Sequence, residues 1–372
     1  MTDPRIGLGI QDLDTPSLLV DLDRLDENIS RMAALAQSRG VALRPHVKTH
    51  KVPAIARLQL AAGAAGITVA KVSEAEVMVA GGITDIFIAY PIVTPVKARR
   101  AAALLQAGTR LIIGVESETG ADVLSRAAGD AGVAMEVRIE VNTGLNRCGV
   151  RPDETLALAR YVRALPGLVI DGIYTFRGGS FPGSAGRSLA EVGREEGETM
   201  AALAGDLRSA GIAIRSVSVG STPTAPYCGV KGVTEIRPGT YVFNDNTEVR
   251  LGVAARDQVA LSVLATVVSR QGPDQVTIDA GAKVFSGDVI PGDLGLPGYG
   301  MAYAGPDLVV VRMNEEHGYV RVGEGVSLQV GDKVRLTPNH VCTSVNLSDE
   351  LIGVREDRVA VIWPVAARGK RE

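Results

Sequence analysis

The chain of 372 residues is longer than an ordinary single domain, although one barrel of eight β-α units can account for most of that length. Hydrophobic residues make up 46% of it and charged residues 22%, which is typical of a folded protein with a large core. A formal net charge of −3 disfavours nucleic acid as the main partner, and no apolar run is long enough to span a membrane.

The N-terminal stretch MTDPRIGLGIQDLD has neither a basic region nor an apolar stretch, so it does not look like a signal peptide. We expect residues 1–25 to join the β domain predicted for the other end of the chain. The three cysteines, Cys148, Cys228 and Cys342, form no CxxC pair and no even framework. This cysteine usage predicts a reducing, cytoplasmic setting.

Residues 26–245 alternate short apolar runs with longer helical patterns, which is typical of repeated β-α units. The predicted strands are VALRPHV, GITVAK, DIFIAYPIV, RLIIGVES, AMEVRIEVN, LVIDGIYTF, RSVSVGS and VTEIRPGTYVF. Eight strands favour a closed (β/α)8 TIM-type barrel over an open doubly wound sheet. The dinucleotide fingerprint G-x-G-x-x-G does not follow the first strand, which disfavours a Rossmann domain.

The helices between these strands carry recognisable ends. The predicted helices are ENISRMAALAQSRG, VPAIARLQLAAG, SEAEVMVAGG, PVKARRAAALLQAG, and those near residues 153–165 and 189–210. Gly40 is expected to end the first of them. Ser73, with Glu76 three residues later, predicts a capping box at the start of SEAEVMVAGG.

Residues 246–372 change to a β-rich pattern with Gly, Asp and Pro turns. The apolar stretches are DQVALSVLATVVSR, DQVTIDAG, DLVVVRM, GYVRVG, DKVRLTP and RVAVIWPV. The sequence therefore predicts an α/β chain in which the barrel, residues 26–245, is followed by a C-terminal β domain, residues 246–372.

The stretch RPHVKTHK places Lys48 at the predicted carboxyl end of the first barrel strand, where barrel enzymes have their active sites. Desolvation there lowers the pKa of a lysine enough to form a Schiff base. A solvated lysine at a loop edge is the alternative, because most lysines are exposed. His46 is expected to share the face of Lys48 on a strand, and His50 to shape the loop.

The stretch SVGSTPT ends a late strand of the predicted barrel. Glycine lets the backbone approach a ligand, and the Ser and Thr hydroxyls can hold a phosphate, which late barrel strands often bind. Ordinary turn chemistry is the alternative. Together with a lysine on the first strand, the stretch indicates a phosphate-bearing aldehyde cofactor.

The stretch PNHVCTSVN offers His340 and Cys342 at positions i and i+2, which share one face on an extended segment. Imidazole and thiolate suit Zn²⁺ better than harder ions. With two local ligands, a metal there has open positions, as catalytic metals do. A buried cysteine beside a hydrogen-bonded histidine is the alternative.

Eight motifs follow one another in the order found in a known family. They are TPSLLVDLDRLDENISRM, RPHVKTHK, KVSEAE, NTGLNRCGV, VGSTPT, EIRPGTYVF, NEEHG and PNHVC. The chain resembles the metal-activated, pyridoxal-phosphate-dependent family that contains D-threonine aldolase, D-serine dehydratase and D-threo-3-hydroxyaspartate dehydratase. These enzymes share the alanine-racemase-like fold, so the resemblance also implies a barrel followed by a β domain.

The resemblance implies the residues that hold pyridoxal 5'-phosphate. Lys48 would carry the cofactor as an internal aldimine, and Arg147 would lie near its phenolate oxygen. The segment Gly220, Ser221 and Thr222 would hold the phosphate, with Tyr241 nearby, and Tyr174 would also contact the cofactor.

The resemblance further implies a divalent metal, zinc or manganese, bound by His340 and Cys342. The substrate would be a small D-amino acid, and a homodimer is expected. In the His-x-Cys motif and in GSTPT the chain looks more like the dehydratases, whereas NTGLNRCGV looks more like the aldolases and racemases.

One segment departs from the family pattern. Where the aldolases and dehydratases carry a histidine for proton transfer, this chain has TFRGGSF, with Phe176 and Arg177. The planar guanidinium of Arg177 suits a second carboxylate on the substrate, although a salt bridge within the loop is the alternative.

The sequence thus predicts a lyase acting on D-3-hydroxy amino acids, as an aldolase or as a dehydratase. An amino-acid racemase is the first alternative, but it needs bases on both faces of Cα and no metal. A non-catalytic pyridoxal-phosphate-binding protein is the second, and the long β-rich C-terminal half disfavours it.

Overall fold

The computed structural model describes residues 3–178, 184–287, 294–304 and 307–372. The chain divides into two compact units. One contains residues 1–30, 49–52 and 240–369, and the other contains residues 31–48, 53–239 and 370–372. The division falls near residues 30 and 240, a few positions from the expected boundaries at 25 and 245. Two short segments were not expected in the unit that contains them: residues 49–52 belong to the first unit and residues 370–372 to the second.

The described ranges contain seventeen strands and eleven α-helices. The strands are β1 (Ser17–Asp21), β2 (Ala42–Leu43), β3 (Ile67–Val69), β4 (Asp85–Pro91), β5 (Arg110–Val115), β6 (Met135–Glu140), β7 (Leu168–Tyr174), β8 (Ser216–Val219), β9 (Glu235–Ile236), β10 (Leu261–Arg270), β11 (Gln275–Ile278), β12 (Gly300–Ala302), β13 (Leu308–Met313), β14 (Gly318–Val322), β15 (Lys333–Pro338), β16 (Glu350–Arg355) and β17 (Arg358–Pro364). The helices are α1 (Leu22–Ser38), α2 (Pro53–Ala61), α3 (Val72–Ala80), α4 (Pro95–Gln106), α5 (Glu118–Ala131), α6 (Thr155–Ala164), α7 (Leu189–Ser209), α8 (Ala225–Cys228), α9 (Asn246–Arg250), α10 (Ala282–Phe285) and α11 (Val341–Leu347). None of these helices is both long enough and apolar enough to cross a membrane.

The unit around residues 53–239 is a closed parallel barrel. Its strands pair in the order β2-β9-β8-β7-β6-β5-β4-β3, and a parallel bridge between His46 and Thr68 joins the two ends. The N–H of Thr68 donates to the carbonyl of Pro45 at 2.8 Å in this closure. The prediction of an eight-stranded β/α barrel is therefore confirmed.

The first and the last strand of the barrel are shorter than predicted. In VALRPHV only Ala42–Leu43 forms a regular strand, since Pro45 has no N–H to donate to a ladder. In VTEIRPGTYVF the strand ends at Ile236, and a 3₁₀ turn, Thr240–Val242, follows the Pro-Gly pair. Between β5 and β6 lies helix α5, which the sequence analysis did not predict although the side chain of Ser117 caps it.

The predicted capping box at Ser73 is wrong. Helix α3 begins one residue earlier, with Lys71 at the N-cap. The Ser73 hydroxyl instead donates to the backbone oxygen of Glu372 at 3.0 Å, and Glu76 accepts from Arg100. Glu74 takes the place of a capping side chain, because it accepts the N–H of Ala70 at 2.6 Å.

Charged side chains fill part of the barrel interior. Arg138 lies 2.7 Å from Asp171 and 2.5 Å from Glu235, and Arg44 lies 2.7 Å from the other oxygen of Glu235. All four side chains are at most 4% exposed. Burial alone would raise the pKa of Glu235, but Arg138 and Arg44 outweigh it and hold that pKa at about 2. Glu235 is therefore a buried carboxylate held ionised by two guanidinium groups.

The other unit is built on a mostly antiparallel sheet, in which β1 and β16 form a parallel pair. Its strand order is β11-β14-β13-β12-β15-β10-β1-β16-β17, and an additional pairing of β10 with β11 closes the first six strands. Strand β1, from the N-terminal segment, pairs with β10 and β16. Apolar residues from both ends of the chain form one core cluster there: Ile10, Leu13, Leu19, Leu264, Ile352, Val354 and Val359.

Candidate active site

Lys48 lies in a 3₁₀ turn, Val47–Thr49, which follows the first barrel strand. It is half-buried, and its backbone N–H donates to Nδ1 of His46 at 3.4 Å. The expectation that His46 shares a strand face with Lys48 is wrong, because the segment is not extended through Lys48. His50 likewise accepts a backbone N–H, that of Val52, at 3.1 Å. Both histidines of RPHVKTHK therefore stabilise the backbone around the lysine.

The ring of Phe176 brings two of the predicted cofactor residues together. Nζ of Lys48 lies 5.6 Å from the ring centroid, and Cζ of Arg147 lies 5.0 Å from it. Cations at this distance are attracted to an aromatic face. Phe176 lies two residues after β7, at the carboxyl end of the barrel strands, so its ring marks the candidate site.

The loop after β6 presents Arg147. Oδ1 of Asn142 accepts the N–H groups of Gly144 at 3.0 Å and Asn146 at 3.2 Å, which folds the loop back on itself. A side chain at Gly149, whose φ is +98°, would place its Cβ 2.7 Å from the nitrogen of Asn142. The glycines and asparagines of NTGLNRCGV therefore build a tight turn that leaves Arg147 exposed at its tip.

Tyr174 lies inside the barrel and is 1% exposed. Its hydroxyl donates to Glu140 at 2.7 Å, and its ring packs edge-to-face on Phe87 with centroids 4.9 Å apart. Burial and the neighbouring Glu140 raise the pKa of Tyr174 well above its usual value. The phenol thus stays protonated as a donor to Glu140, and its contact with the cofactor stays a prediction.

Arg237 is a buried cation that the sequence analysis did not single out. It donates to Oγ of Ser218 at 2.6 Å and to the carbonyl of Thr175 at 2.5 Å, and it lies 5.3 Å from the ring centroid of Tyr174. Burial lowers the pKa of Arg237. The signal in the sequence was an arginine directly after a buried strand, in EIRPG, which at a barrel strand end indicates a site residue.

The turn after β8 contains the predicted phosphate residues. Ser221 donates its N–H to Oγ1 of Thr224 at 3.0 Å, and the N–H of Gly239 donates to Oγ1 of Thr222 at 3.2 Å. Gly220 has a φ of +87°, and a Cβ there would lie 2.6 Å from Sγ of Cys228. A glycine and hydroxyls on a turn at a barrel strand end form a donor set that fits a phosphate.

Replacing Gly220 with alanine is expected to destabilise this turn for two separable reasons. The left-handed backbone costs roughly 1–2 kcal/mol for an L-residue. The new Cβ would also overlap Sγ of Cys228. Urea unfolding should therefore show a lower free energy of unfolding in Gly220→Ala, and the double variant Gly220→Ala with Cys228→Ala should recover part of it. An unchanged free energy of unfolding in the single variant would contradict the turn geometry.

Tyr241 lies in the 3₁₀ turn Thr240–Val242 and is 3% exposed. The sequence analysis placed it on a strand, and that is wrong because the Pro-Gly pair ends the strand before it. The structure assigns Tyr241 to the antiparallel unit, so its predicted role near the phosphate stays a prediction.

His340 and Cys342 lie at the start of helix α11, not on the extended segment that was expected. His340 is the N-cap residue, with extended backbone, and Cys342 is in the first turn. Nδ1 of His340 lies 3.4 Å from Oδ2 of Asp245, and Sγ of Cys342 lies 3.4 Å from Oγ1 of Thr49. Each of the two predicted ligands therefore contacts a residue that is distant in sequence.

Asp245 and Glu248 are the residues near His340 that the sequence analysis missed. Asp245 caps helix α9 by accepting the N–H of Glu248 at 3.0 Å, and its other oxygen accepts the N–H of Val341 at 3.2 Å. Glu248 is 4% exposed, and its Oε2 has no hydrogen-bond partner among the residues that the structure describes. The stretch NDNTE, directly after a buried turn, was the available signal.

The charges around His340 fit a cation. The negative charge of Cys342 raises the pKa of His340 to about 11, against the effect of burial and with the help of Asp245. Burial and the nearby Asp245 raise the pKa of Glu248 well above its usual value. Imidazole, thiolate and carboxyl groups, one of them with an orphaned oxygen, are ligand types that a divalent metal takes.

Comparison with known proteins gives matches along almost the whole chain. A family model described as alanine racemase, N-terminal domain, matches residues 20–247, and one described as putative serine dehydratase domain matches residues 260–354. D-threonine aldolase from Arthrobacter sp is 38% identical over 365 residues, which cover 96% of this chain and 93% of that protein.

Solved structures agree with these matches. D-threonine aldolase from Filomicrobium marinum superposes with a TM-score of 0.90 at 35% identity and covers 99% of each chain. D-threo-3-hydroxyaspartate dehydratase from Delftia sp. HT23 superposes with a TM-score of 0.87 at 34% identity, over 96% of this chain and 98% of that one. A cysteine mutant of such a dehydratase is described as a metal-free form.

Proposed function

This chain belongs to the family in which an alanine racemase N-terminal domain is followed by a serine dehydratase domain, and we propose that it is a pyridoxal-phosphate- and divalent-metal-dependent lyase acting on D-3-hydroxy amino acids. The observation that carries the proposal is the meeting of Lys48 and Arg147 on the ring of Phe176. Two relatives, a D-threonine aldolase and a D-threo-3-hydroxyaspartate dehydratase, act on such substrates by name.

The residues of the barrel fit pyridoxal phosphate, which supplies, when bound, an electron sink for charge that develops on the substrate's Cα. Lys48 would hold its aldehyde carbon through a covalent bond to Nζ. The hydroxyls of Ser221 and Thr222, on a turn opened by Gly220, would hold its phosphate. Arg147 would place a permanent positive charge beside its phenolate oxygen.

The residues near His340 fit a divalent metal, which supplies, when bound, a Lewis acid for the substrate's 3-hydroxyl. His340 and Cys342 would be its ligands, and their imidazole and thiolate favour zinc over manganese. Asp245 accepts from His340 and so fixes the orientation of the ring. Thr49, whose hydroxyl contacts Cys342, follows Lys48 directly in the sequence.

Proton transfer decides which bond breaks. Removal of the Cα proton leads to loss of the 3-hydroxyl, and removal of the hydroxyl proton leads to cleavage between Cα and Cβ. Of the three side chains that meet at Phe176, Lys48 is the one whose neutral form can accept a proton, because phenylalanine has no exchangeable proton and arginine stays protonated.

Product analysis tests the proposal. Incubation with D-threonine, D-serine and D-threo-3-hydroxyaspartate is expected to release an aldehyde or a 2-oxo acid, and the L-isomers are expected to release neither. A chelator should abolish the release, and added zinc or manganese should restore it. Full turnover in the metal-free protein would contradict the metal, whereas interconversion of D- and L-isomers without cleavage would favour the racemase.

Replacing Asp245 with asparagine is expected to weaken metal binding by about 10–100-fold, because a carboxylate that orients a metal-binding histidine is lost. Asparagine is an equally good N-cap, so helix α9 should be kept. Metal titration followed by calorimetry measures the change, with His317→Ala as a control at an exposed histidine. Equal affinity in Asp245→Asn and the wild type would show that Asp245 does not orient a ligand.

A homodimer and a cytoplasmic location, both expected from the sequence, stay part of this proposal. Sedimentation of the purified protein measures the first of them.

A further inference from the structure

Glu196 is a buried carboxylate that none of the roles above uses. It lies on helix α7 with 0% of its surface exposed. One oxygen accepts the N–H of Arg177 at 3.2 Å, and the other accepts the hydroxyl of Thr224 at 3.4 Å. Its partners therefore lie on two loops at the carboxyl end of the barrel strands.

Two glycines allow helix α7 to pack closely against the turn, which places the carboxylate of Glu196 beside it. A Cβ at Gly193 would lie 3.0 Å from the carbonyl oxygen of Thr224, and one at Gly197 would lie 2.4 Å from that of Cys228. The helix therefore packs directly on the backbone of residues 224–228. Burying a carboxylate in this position costs free energy unless its hydrogen bonds are made. An apolar side chain would fill the same space at a lower free-energy cost.

The hydrogen bonds run from Glu196 into the predicted phosphate turn. The hydroxyl of Thr224 has one proton, and donating it to Glu196 leaves its oxygen to accept from Ser221. Ser221 donates its N–H to that oxygen at 3.0 Å, and the two hydroxyl oxygens lie 2.9 Å apart. Glu196 thus fixes Thr224 directly and Ser221 through Thr224.

We propose that Glu196 is a positioning residue for the phosphate turn: its carboxylate fixes Thr224, and through it Ser221, in the conformation that binds the phosphate of the cofactor. The proposal rests on the proposed function, since it takes the ligand of this turn to be the phosphate of pyridoxal phosphate.

The surroundings of Glu196 make the effect sensitive to pH. The charged and titratable groups that face it are Arg177, Arg237 and Cys228. Burial raises the pKa of Glu196 to about 7, although the N–H donors and the two guanidinium groups oppose it. A protonated oxygen donates and no longer accepts, so the turn should loosen as pH falls through this range.

Comparison of two aldehydes tests the proposal in apoprotein. Pyridoxal phosphate and pyridoxal react with the same lysine, but only the first has a phosphate. In Glu196→Gln, we expect the Kd for pyridoxal phosphate to rise roughly 10–100-fold, as for the loss of hydrogen bonds to a charged group. The Kd for pyridoxal should change less than about threefold. The absorbance of the lysine-bound aldehyde measures both, with Glu198→Gln on the exposed face of α7 as the control.

Measurements on the wild type and on one further variant distinguish a failure of the positioning role from a failure of the proposed function. Thr224→Val removes the link from Glu196 to Ser221 while it keeps the carboxylate, and it should give the same selective loss of affinity for pyridoxal phosphate, even if Glu196→Gln fails to fold. Equal losses of affinity for both aldehydes, or no loss of affinity for either, would overturn the positioning role of Glu196. If the wild type binds neither aldehyde at a lysine, it is the proposed function that fails.

Discussion

Replacing Lys48 with alanine is expected to abolish the absorbance of lysine-bound cofactor and to lower turnover by at least about 10²–10⁴-fold. Alanine has no amine to hold the aldehyde, and the base that could move a proton at Phe176 is lost with it. Lys48 is half-buried in a 3₁₀ turn that His46 supports through a backbone hydrogen bond, so the loss of the side chain should leave the turn in place. Spectra of the purified variant with added pyridoxal phosphate, and product release from D-3-hydroxy amino acids, measure the two effects.

Two further variants make this result specific. Lys48→Arg keeps a positive charge near Phe176 but cannot form the covalent bond, so it should lose the absorbance as well. Lys231→Ala removes an exposed lysine of the same unit and should keep both absorbance and turnover. A Lys48→Ala variant with the wild-type spectrum would move the cofactor to another lysine and remove the basis of the proposed site.

The barrel was predictable because its signals are local. Each of β3 to β8 is three to seven residues long and is either mostly apolar or alternates apolar with polar residues, and both patterns are visible in the sequence. What the sequence did not reveal is where regular pairing stops. Pro45 and the Pro-Gly pair before Thr240 end their strands early, so Lys48 and Tyr241 lie in 3₁₀ turns. Strand limits depend on which backbone N–H groups find partners, and that is decided by tertiary structure.

The site was predictable where one motif carries the chemistry and missed where distant segments meet. Lys48 and the pair His340 and Cys342 stand out by residue type. Asp245 approaches His340 only because helices α9 and α11 begin side by side, and the ring of Phe176 joins Lys48 to Arg147 only through folding. Glu196 reads as one more charge on an amphipathic helix, and its complete burial becomes visible only when Gly193 and Gly197 bring the turn onto the helix.

Buried charge in this barrel serves two different purposes. Glu196 has backbone and hydroxyl donors at one oxygen each, and burial dominates its titration, so the pKa rises to about 7. Glu235 has guanidinium groups at both oxygens, and they outweigh burial, so the pKa falls to about 2. The first carboxyl can respond to pH near neutrality, whereas the second stays ionised throughout the range in which an enzyme works.

Replacing Glu235 with glutamine is therefore expected to lower the free energy of unfolding by roughly 3–5 kcal/mol, the usual cost of leaving a buried charge without its partner. Arg138 and Arg44 donate to the two carboxylate oxygens, and Ser218 donates to one of them at 2.5 Å. Glutamine keeps one acceptor and turns an N–H₂ group toward a guanidinium. Urea unfolding at neutral pH measures the loss. Glu76→Gln is the matched control, because Glu76 pairs with Arg100 at 2.7 Å but is 38% exposed, and it should cost at most about 1 kcal/mol.

The pH dependence separates the loss of charge from a packing defect. The pKa of Glu235 is about 2 in the folded protein and about 4.5 when unfolded, so its ionised form stabilises the fold above the higher value. That contribution is lost as pH falls from about 4.5 toward 2. The difference between the wild type and Glu235→Gln should therefore be constant between pH 7 and 5 and shrink below pH 4.5. A difference that stays constant down to pH 3 would mean that shape, rather than charge, makes Glu235 necessary between Arg138 and Arg44.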